Sequence, residues 1–280
     1  MCATAQAPPC VALKRVQGRS TKLVAEAQAL SFLNHRDFPH VPTLLAQARD
    51  HLVVSWLGQD TLTLDAWYPT ATAPERAALG RALGQWIAGL HCLHVPPCGV
   101  KLSDDPMPWH ARLSKHIGRA RGRVQRAHVR GLLNQEEAQV ALDAAQRLER
   151  WASAARWPTR PRAMIHRDLR PPNILADATT RAFVGVVDFE RAAAGDPAWD
   201  FAKLHWWCLM PYPDLREPFE RAYGALKGLP DANDVAHYKA FEALGMVAYF
   251  AGRAQDYPAF ALVQLRAWVE SQEDDPTSAP

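Results

Sequence analysis

No apolar run in this 280-residue chain approaches the roughly 20 residues that a membrane helix needs. The opening MCATAQAPPC has neither the basic start nor the apolar core of a secretion signal, so export is not expected and the cytoplasm is the expected location. Cysteine is sparse. Cys2, Cys10, Cys92, Cys98 and Cys208 are odd in number and include no C-x-x-C pair, which argues against a disulfide framework and suits a reducing compartment. Charge of one sign is also lacking: 32 basic against 29 acidic side chains leave +3, too little to identify a polyionic partner. Glycine is missing from the first 13 residues, an absence that matters below. What remains is an ordinary globular balance, long enough for two lobes that each bury a core.

Charge is unevenly placed. Arg119, Arg123, Arg126 and Arg130 recur every three or four residues, one stripe if the segment is helical. Such a stripe is either a solvated face, whose arginine stems cover apolar surface, or a dock for an anionic ligand. No aromatics interleave it, which argues against nucleic acid.

Residues 11–16 (VALKRV) predict a strand, followed by a helix over STKLVAEAQALSFL with Ser20 or Thr21 at its N-cap. VPTLLAQ and HLVVSWL predict two more strands, with a break near Gly58. From there the pattern turns helical. PERAALGRALGQWIAGLHCLH has Pro74 in its first turn, and NQEEAQVALDAAQRLERWASAA is amphipathic with Asn134 as its cap. A hairpin is expected over residues 174–188, then further helices and a polar, disordered tail, SQEDDPTSAP. The expected organisation is therefore a strand-rich lobe at 1–58, a helical lobe at 59–270 and a tail at 271–280.

The densest chemistry lies in MIHRDLRPPNIL, residues 164–175. NILAD and AFVGVVDFE are apolar strands separated by ATTR, so antiparallel pairing sets Asn173 beside Asp188. An amide oxygen and a carboxylate at one spot suit Mg²⁺, which takes one or two protein ligands and completes its shell with phosphates and water. Asp168, in the loop just before, can accept a proton from a hydroxyl and orient it for in-line attack on phosphorus. Each of these residues alone would be an ordinary turn or cap. The H-x-D-x-x-x-x-N spacing, the hairpin and the closing Asp-Phe together describe a phosphoryl-transfer site.

Here the chain resembles the protein-kinase-like phosphotransferases, and within them the aminoglycoside phosphotransferase and choline kinase group. After Asp188 it reads DFERAAAGDPAWDFAKL, and the early G-D-P-x-x-D-x-A is that group's signature. The helix ending at Leu90-His91 also resembles the family's. The resemblance spans roughly residues 11–210. It implies an α+β, two-lobed kinase-like fold with a reduced strand-rich N-lobe and a mainly helical C-lobe. It further implies ATP and Mg²⁺ as cofactors and a small-molecule hydroxyl as phosphate acceptor: an aminoglycoside, amino alcohol, sugar or amino acid. By the resemblance, Asp168 is the catalytic base, Asn173 and Asp188 hold Mg²⁺, and His166 braces the loop with Asp200 bonded to it. Lys14 holds the α- and β-phosphates with Glu26 as its partner, and backbone groups around Ser55 to Leu57 bind adenine.

Two features depart from the group. Arg167 stands where the small-molecule kinases more often have glycine, and Arg170 stands where a protein kinase has a lysine that reaches the transferring phosphate. Both keep a protein or lipopolysaccharide acceptor as an alternative. The 13 residues ahead of Lys14 leave no room for two strands and a glycine-rich phosphate loop, so the start lies upstream or the lobe is reduced; a nucleotide-binding pseudokinase is the second alternative. His91, Cys92, His94 and Cys98 match no common zinc spacing. Trp109, Trp206 and Trp207 are expected to pack helices rather than cage a cation.

Overall fold

A computed structural model describes residues 10–15, 21–95, 108–153, 163–253 and 256–273. In chain order the strands are β1 (Val11–Arg15), β2 (Leu44–Gln47), β3 (His51–Ser55), β4 (Thr61–Thr63), β5 (Ala163–Ile165), β6 (Ile174–Asp177), β7 (Phe183–Val186) and β8 (Ala193–Gly195). The helices are α1 (Thr21–Asn34), α2 (Leu64–Trp67), α3 (Ala73–Cys92), α4 (Trp109–Val129), α5 (Gln135–Ala152), α6 (Pro197–Leu204), α7 (Pro213–Lys227), α8 (Ala232–Phe250) and α9 (Tyr257–Glu273). They form two compact units, neither continuous in sequence: 1–105 with 162–229, and 106–161 with 230–280. The break expected near residue 58 lies inside the first unit, where Gly58 turns the chain with φ +70°.

In the first unit β1, β3 and β2 make an antiparallel sheet in that order. Strand alternation gives it one buried face, with Leu52 and Val54 against α1, whose Ala27, Leu30 and Leu33 are buried. Lys14 lies opposite Leu52, and residues paired across strands share a face, so Lys14 points to the same side as α1. A second sheet, β4-β6-β7, contains the expected hairpin. Its strand β4 falls where a helical pattern was expected to begin, because three residues are too few to show an alternation. A third, two-stranded sheet pairs β5 with β8.

Two close approaches fix this unit. A side chain on Gly185 of β7 would meet the His40 carbonyl oxygen at 2.4 Å, and that carbonyl accepts the Val186 N–H at 3.1 Å. On α3, Cβ atoms at Gly80 and Gly84 would come within 2.6 and 2.5 Å of the α7 carbonyls of Leu215 and Phe219. These two glycines, one turn apart, let α7 lie directly on α3.

The second unit consists of α4, α5, α8 and α9. Asn134 caps α5 as expected: its side chain accepts the Glu137 N–H at 2.9 Å, and the Glu137 carboxylate accepts the Asn134 N–H at 2.8 Å. Helix α4 buries Leu113, Ile117, Val124 and Ala127 and turns Arg119, Arg123, Arg126 and Arg130 to solvent. None of these four arginines forms an ion pair among the described residues, whereas Arg121 pairs with Glu149 at 2.8 Å. Two of the tryptophans named above, Trp109 and Trp206, pack. The Trp109 indole N–H donates to the Tyr238 hydroxyl at 3.0 Å, and Trp206 is buried in the first unit. Helix α9 runs to Glu273, three residues into the segment expected to be a tail; residues 274–280, Val16 and the Ser20 cap lie outside the described residues.

Candidate active site

The loop that begins at His166 is held from three directions. Pairing of β5 with β8 carries the chain through Asp196, which caps α6 by accepting the Ala198 N–H at 3.1 Å. That cap brings Asp200, one turn into the helix, against the loop. The buried Asp200 carboxylate accepts the backbone N–H of His166 at 2.8 Å and of Arg167 at 2.5 Å, and it meets His91 Nε2 at 3.1 Å. His91 Nδ1 lies 2.9 Å from the Tyr223 hydroxyl, so both its ring nitrogens are engaged and neither serves the zinc arrangement considered above; Cys98 lies outside the described residues. Burial pushes Asp200 toward the acid form, but these donors outweigh it and hold its pKa below the usual carboxylate value.

Arg167 needs that anchoring, because its φ of +64° lies in the left-handed region, unfavourable by roughly 1–2 kcal/mol for a side chain with a Cβ. Its guanidinium stacks 3.9 Å from the Trp199 ring centroid, a contact of about 0.5–2 kcal/mol that offsets the strain. His166 is fully buried and kept neutral by that burial. Its Nδ1 accepts the Asp168 N–H at 3.2 Å, so Nε2 carries the proton and donates to the Val187 carbonyl at 3.1 Å. The imidazole thus ties the loop to the end of the hairpin.

The same tie continues through Asn173. Its side-chain N–H donates to the Asp168 carbonyl at 2.8 Å, while its own carbonyl accepts the Val187 N–H at 3.0 Å. The amide oxygen is therefore the free end of that side chain, without a partner among the described residues. Ile174 pairs with Val186, which sets Asp188 next to Asn173, and Asp188 turns there with φ +70°. Lys14 Nζ donates to Asp188 Oδ1 at 2.9 Å and to both Glu26 oxygens at 2.7 and 2.9 Å. Burial weakens the hold of Lys14 on its proton, but the two carboxylates outweigh it and raise its pKa. Lys22 pairs with Glu190 at 2.6 Å, a second link from α1 to the turn after Asp188.

The carboxylate of Asp168 is crowded by cations that sequence reasoning did not assign to it. Lys203 of α6 donates to Oδ1 at 2.8 Å, with both side chains at 9% and 8% exposure. Arg191 lies 3.6 Å from Oδ1, and Arg170 lies 3.3 Å from Oδ2. Burial favours the acid form of Asp168, but Lys203, then Arg170 and Arg191, draw its pKa below the ordinary value. One signal pointed to Lys203: it stands three residues after Asp200, hence on the same helix face. Nothing in the pattern pointed to Arg191.

Among the adenine-side candidates, Ser55 is engaged within its sheet. Its N–H donates to the Thr43 carbonyl at 2.9 Å, and its hydroxyl accepts the Thr43 N–H at 2.8 Å. Leu57, beyond the strand, has no backbone hydrogen bond among the described residues, and its side chain lies beside Gly185 of the hairpin. A hard divalent cation fits the amide oxygen of Asn173 and the carboxylate of Asp188, both oxygen donors at adjoining ends of one hairpin.

A small antiparallel N-terminal sheet with a lysine–glutamate pair, followed by a mostly helical region that carries the loop from His166 and the β6–β7 hairpin, makes up a protein-kinase-like fold. The profile of the phosphotransferase enzyme family (APH) matches residues 7–237, and the chain belongs to that family. Among solved structures it resembles the streptomycin–ATP–APH(2″)-IIa ternary complex, with a TM-score of 0.66 at 15% identity over 92% of this chain and 84% of that one. It also resembles ADP-bound aminoglycoside phosphotransferase APH(2″)-Ib, with a TM-score of 0.63 at 13% identity over 93% and 86%. Macrolide 2′-phosphotransferase type I gives a TM-score of 0.60 at 22% identity over 91% and 83%. A search of curated sequences finds no match. Among the described residues, no helix is long and apolar enough to cross a membrane.

Proposed function

We propose that the protein transfers the γ-phosphate of ATP, with Mg²⁺, to a hydroxyl group of a small molecule. The observation that carries this reading is Asp168: a buried carboxylate kept ionised by Lys203, on a loop whose backbone is fixed by Asp200, His166 and Asn173. In the proposed reaction Asp168 orients the acceptor hydroxyl and takes its proton as the acceptor oxygen bonds to phosphorus and the bond to the ADP oxygen breaks. Lys14, steadied by Glu26, binds the α- and β-phosphates. Arg170 reaches the transferring phosphoryl group, and Leu57 offers its backbone to adenine. Asn173 and Asp188 would hold Mg²⁺, which when bound neutralises charge on the phosphates. No covalent enzyme intermediate is required, because positioning and charge neutralisation suffice.

Relatives solved with streptomycin and ATP, or described as acting on macrolides, support a small-molecule acceptor. The test is calorimetric binding of MgATP to the wild type and to Asp188→Ala, followed by an ADP-release screen of hydroxyl acceptors. Mg²⁺-dependent binding that weakens in the variant is expected. A wild type that does not bind MgATP overturns the proposal.

A further inference from the structure

More positive charge surrounds Asp168 than a catalytic carboxylate needs. Lys203 alone supplies a hydrogen bond and a counter-charge. The other nearby cations are accounted for: Lys14 by Glu26 and Asp188, Lys22 by Glu190. Arg170 and Arg191 are left over. They approach opposite oxygens of the carboxylate, at 3.3 and 3.6 Å, with 39% and 44% of their side chains exposed. Neither guanidinium is hydrogen-bonded to an acceptor among the described residues, and the Nε–H of Arg170 is buried without a partner. A buried donor left so is unfavourable by roughly 1–3 kcal/mol, and a planar guanidinium fork matches phosphate or carboxylate oxygens. The arrangement is therefore a pair of anion receptors flanking the group that would take the acceptor's proton.

The transferring phosphoryl group supplies one anion, which Arg170 serves. Arg191 stands on the other oxygen and calls for a second. We infer, on the basis of the phosphotransferase reading above, that the acceptor carries its own phosphate or carboxylate a few bonds from the hydroxyl that is phosphorylated, and that Arg191 receives it. Both Arg191 and the hydroxyl would address Asp168, which sets that short separation. A polycationic acceptor would instead set its charge against the Arg191 guanidinium, a like-charge contact that opposes binding.

The experiment uses the protein saturated with magnesium and a non-hydrolysable ATP analogue, so that the γ-phosphate position is filled. Glycerol 3-phosphate, glycerate, glycerol and ethanolamine are then titrated calorimetrically into the wild type, Arg191→Ala and Arg191→Lys. At least one of the two anions should bind at least about tenfold more tightly than glycerol or ethanolamine, the worth of one charge-assisted hydrogen bond. Which anion does so separates phosphate from carboxylate. Arg191→Ala should erase the preference and leave affinity for the ATP analogue unchanged, while Arg191→Lys retains part of it. Anions that bind no tighter than glycerol overturn the inference while the phosphotransferase reading stands. So does an Arg191→Ala variant that loses the nucleotide but not the anion, since the arginine then serves ATP. A wild type that does not bind the analogue defeats the phosphotransferase reading itself, and the inference with it.

Discussion

Replacing Lys203 by methionine keeps the length and helix preference of the side chain but removes the hydrogen bond and charge that hold Asp168. The two side chains are 9% and 8% exposed and 2.8 Å apart, so the variant leaves a carboxylate buried without its nearest counterion. Breaking a buried pair from one side ordinarily destabilises by about 3–5 kcal/mol. Arg170 and Arg191 remain at 3.3 and 3.6 Å and offset part of that loss, so about 2 kcal/mol is expected at neutral pH. The sign with pH follows from the wild-type carboxylate, whose folded pKa lies below its unfolded value of about 3.9. A depressed carboxylate pKa gives stability that is fully present above the unfolded pKa and is lost as pH falls through the folded one. In Lys203→Met burial dominates, the folded pKa rises, and that stability is missing. Urea unfolding of both proteins should therefore show the largest gap near neutrality, narrowing as the solution is acidified through the carboxylate range. The acidic limb of the rate profile should move to higher pH. A gap that stays constant with pH would mean that Lys203 acts by packing alone and would refute the assignment.

Three further outcomes are expected. Gly84→Ala places a methyl 2.5 Å from the Phe219 carbonyl oxygen and should lower stability by about 1–3 kcal/mol in thermal unfolding. Gly118→Ala, in α4 with nothing within 4 Å, should instead raise stability by about 0.5–1 kcal/mol; equal effects from the two would refute the close contact of α3 with α7. Asp200→Asn keeps one acceptor oxygen for a site that receives two backbone N–H groups and His91, so a stability loss of about 2–4 kcal/mol and a fall in turnover should appear together. Asn134→Ala should destabilise by about 1 kcal/mol without touching nucleotide binding, measured by calorimetry beside the unfolding curve.

What could be read from the sequence was whatever is settled locally. The strands β1 and β3 alternate in burial, Gly58 turns the chain with positive φ, and Asn134 with Glu137 spells its own cap. The hairpin set Asn173 beside Asp188 because its two strands are apolar and its turn is short. Strands β4, β5 and β8 have three residues each and carry no period that a window can detect. The division into units was also beyond a linear reading, since each joins stretches far apart in the chain.

The cations around Asp168 show the same limit at the level of single residues. Lys203 in DFAKL and Arg191 in DFER look like surface charges, and only tertiary pairing of β5 with β8 brings α6 to the loop. Arg167 shows how the two kinds of information interact. A left-handed residue is locally an argument for glycine, and the family resemblance says the same. The chain instead uses an arginine whose strain is offset by the Trp199 ring, on the helix whose Asp200 already fixes its N–H. Arginine at this position is therefore compatible with a small-molecule site, because its guanidinium is stacked on Trp199. The protein-kinase-like sequence of the loop has a packing explanation at Arg167, whereas at Arg170 the guanidinium Nε–H is buried without a partner among the described residues, which suits the role proposed for it on the transferring phosphoryl group.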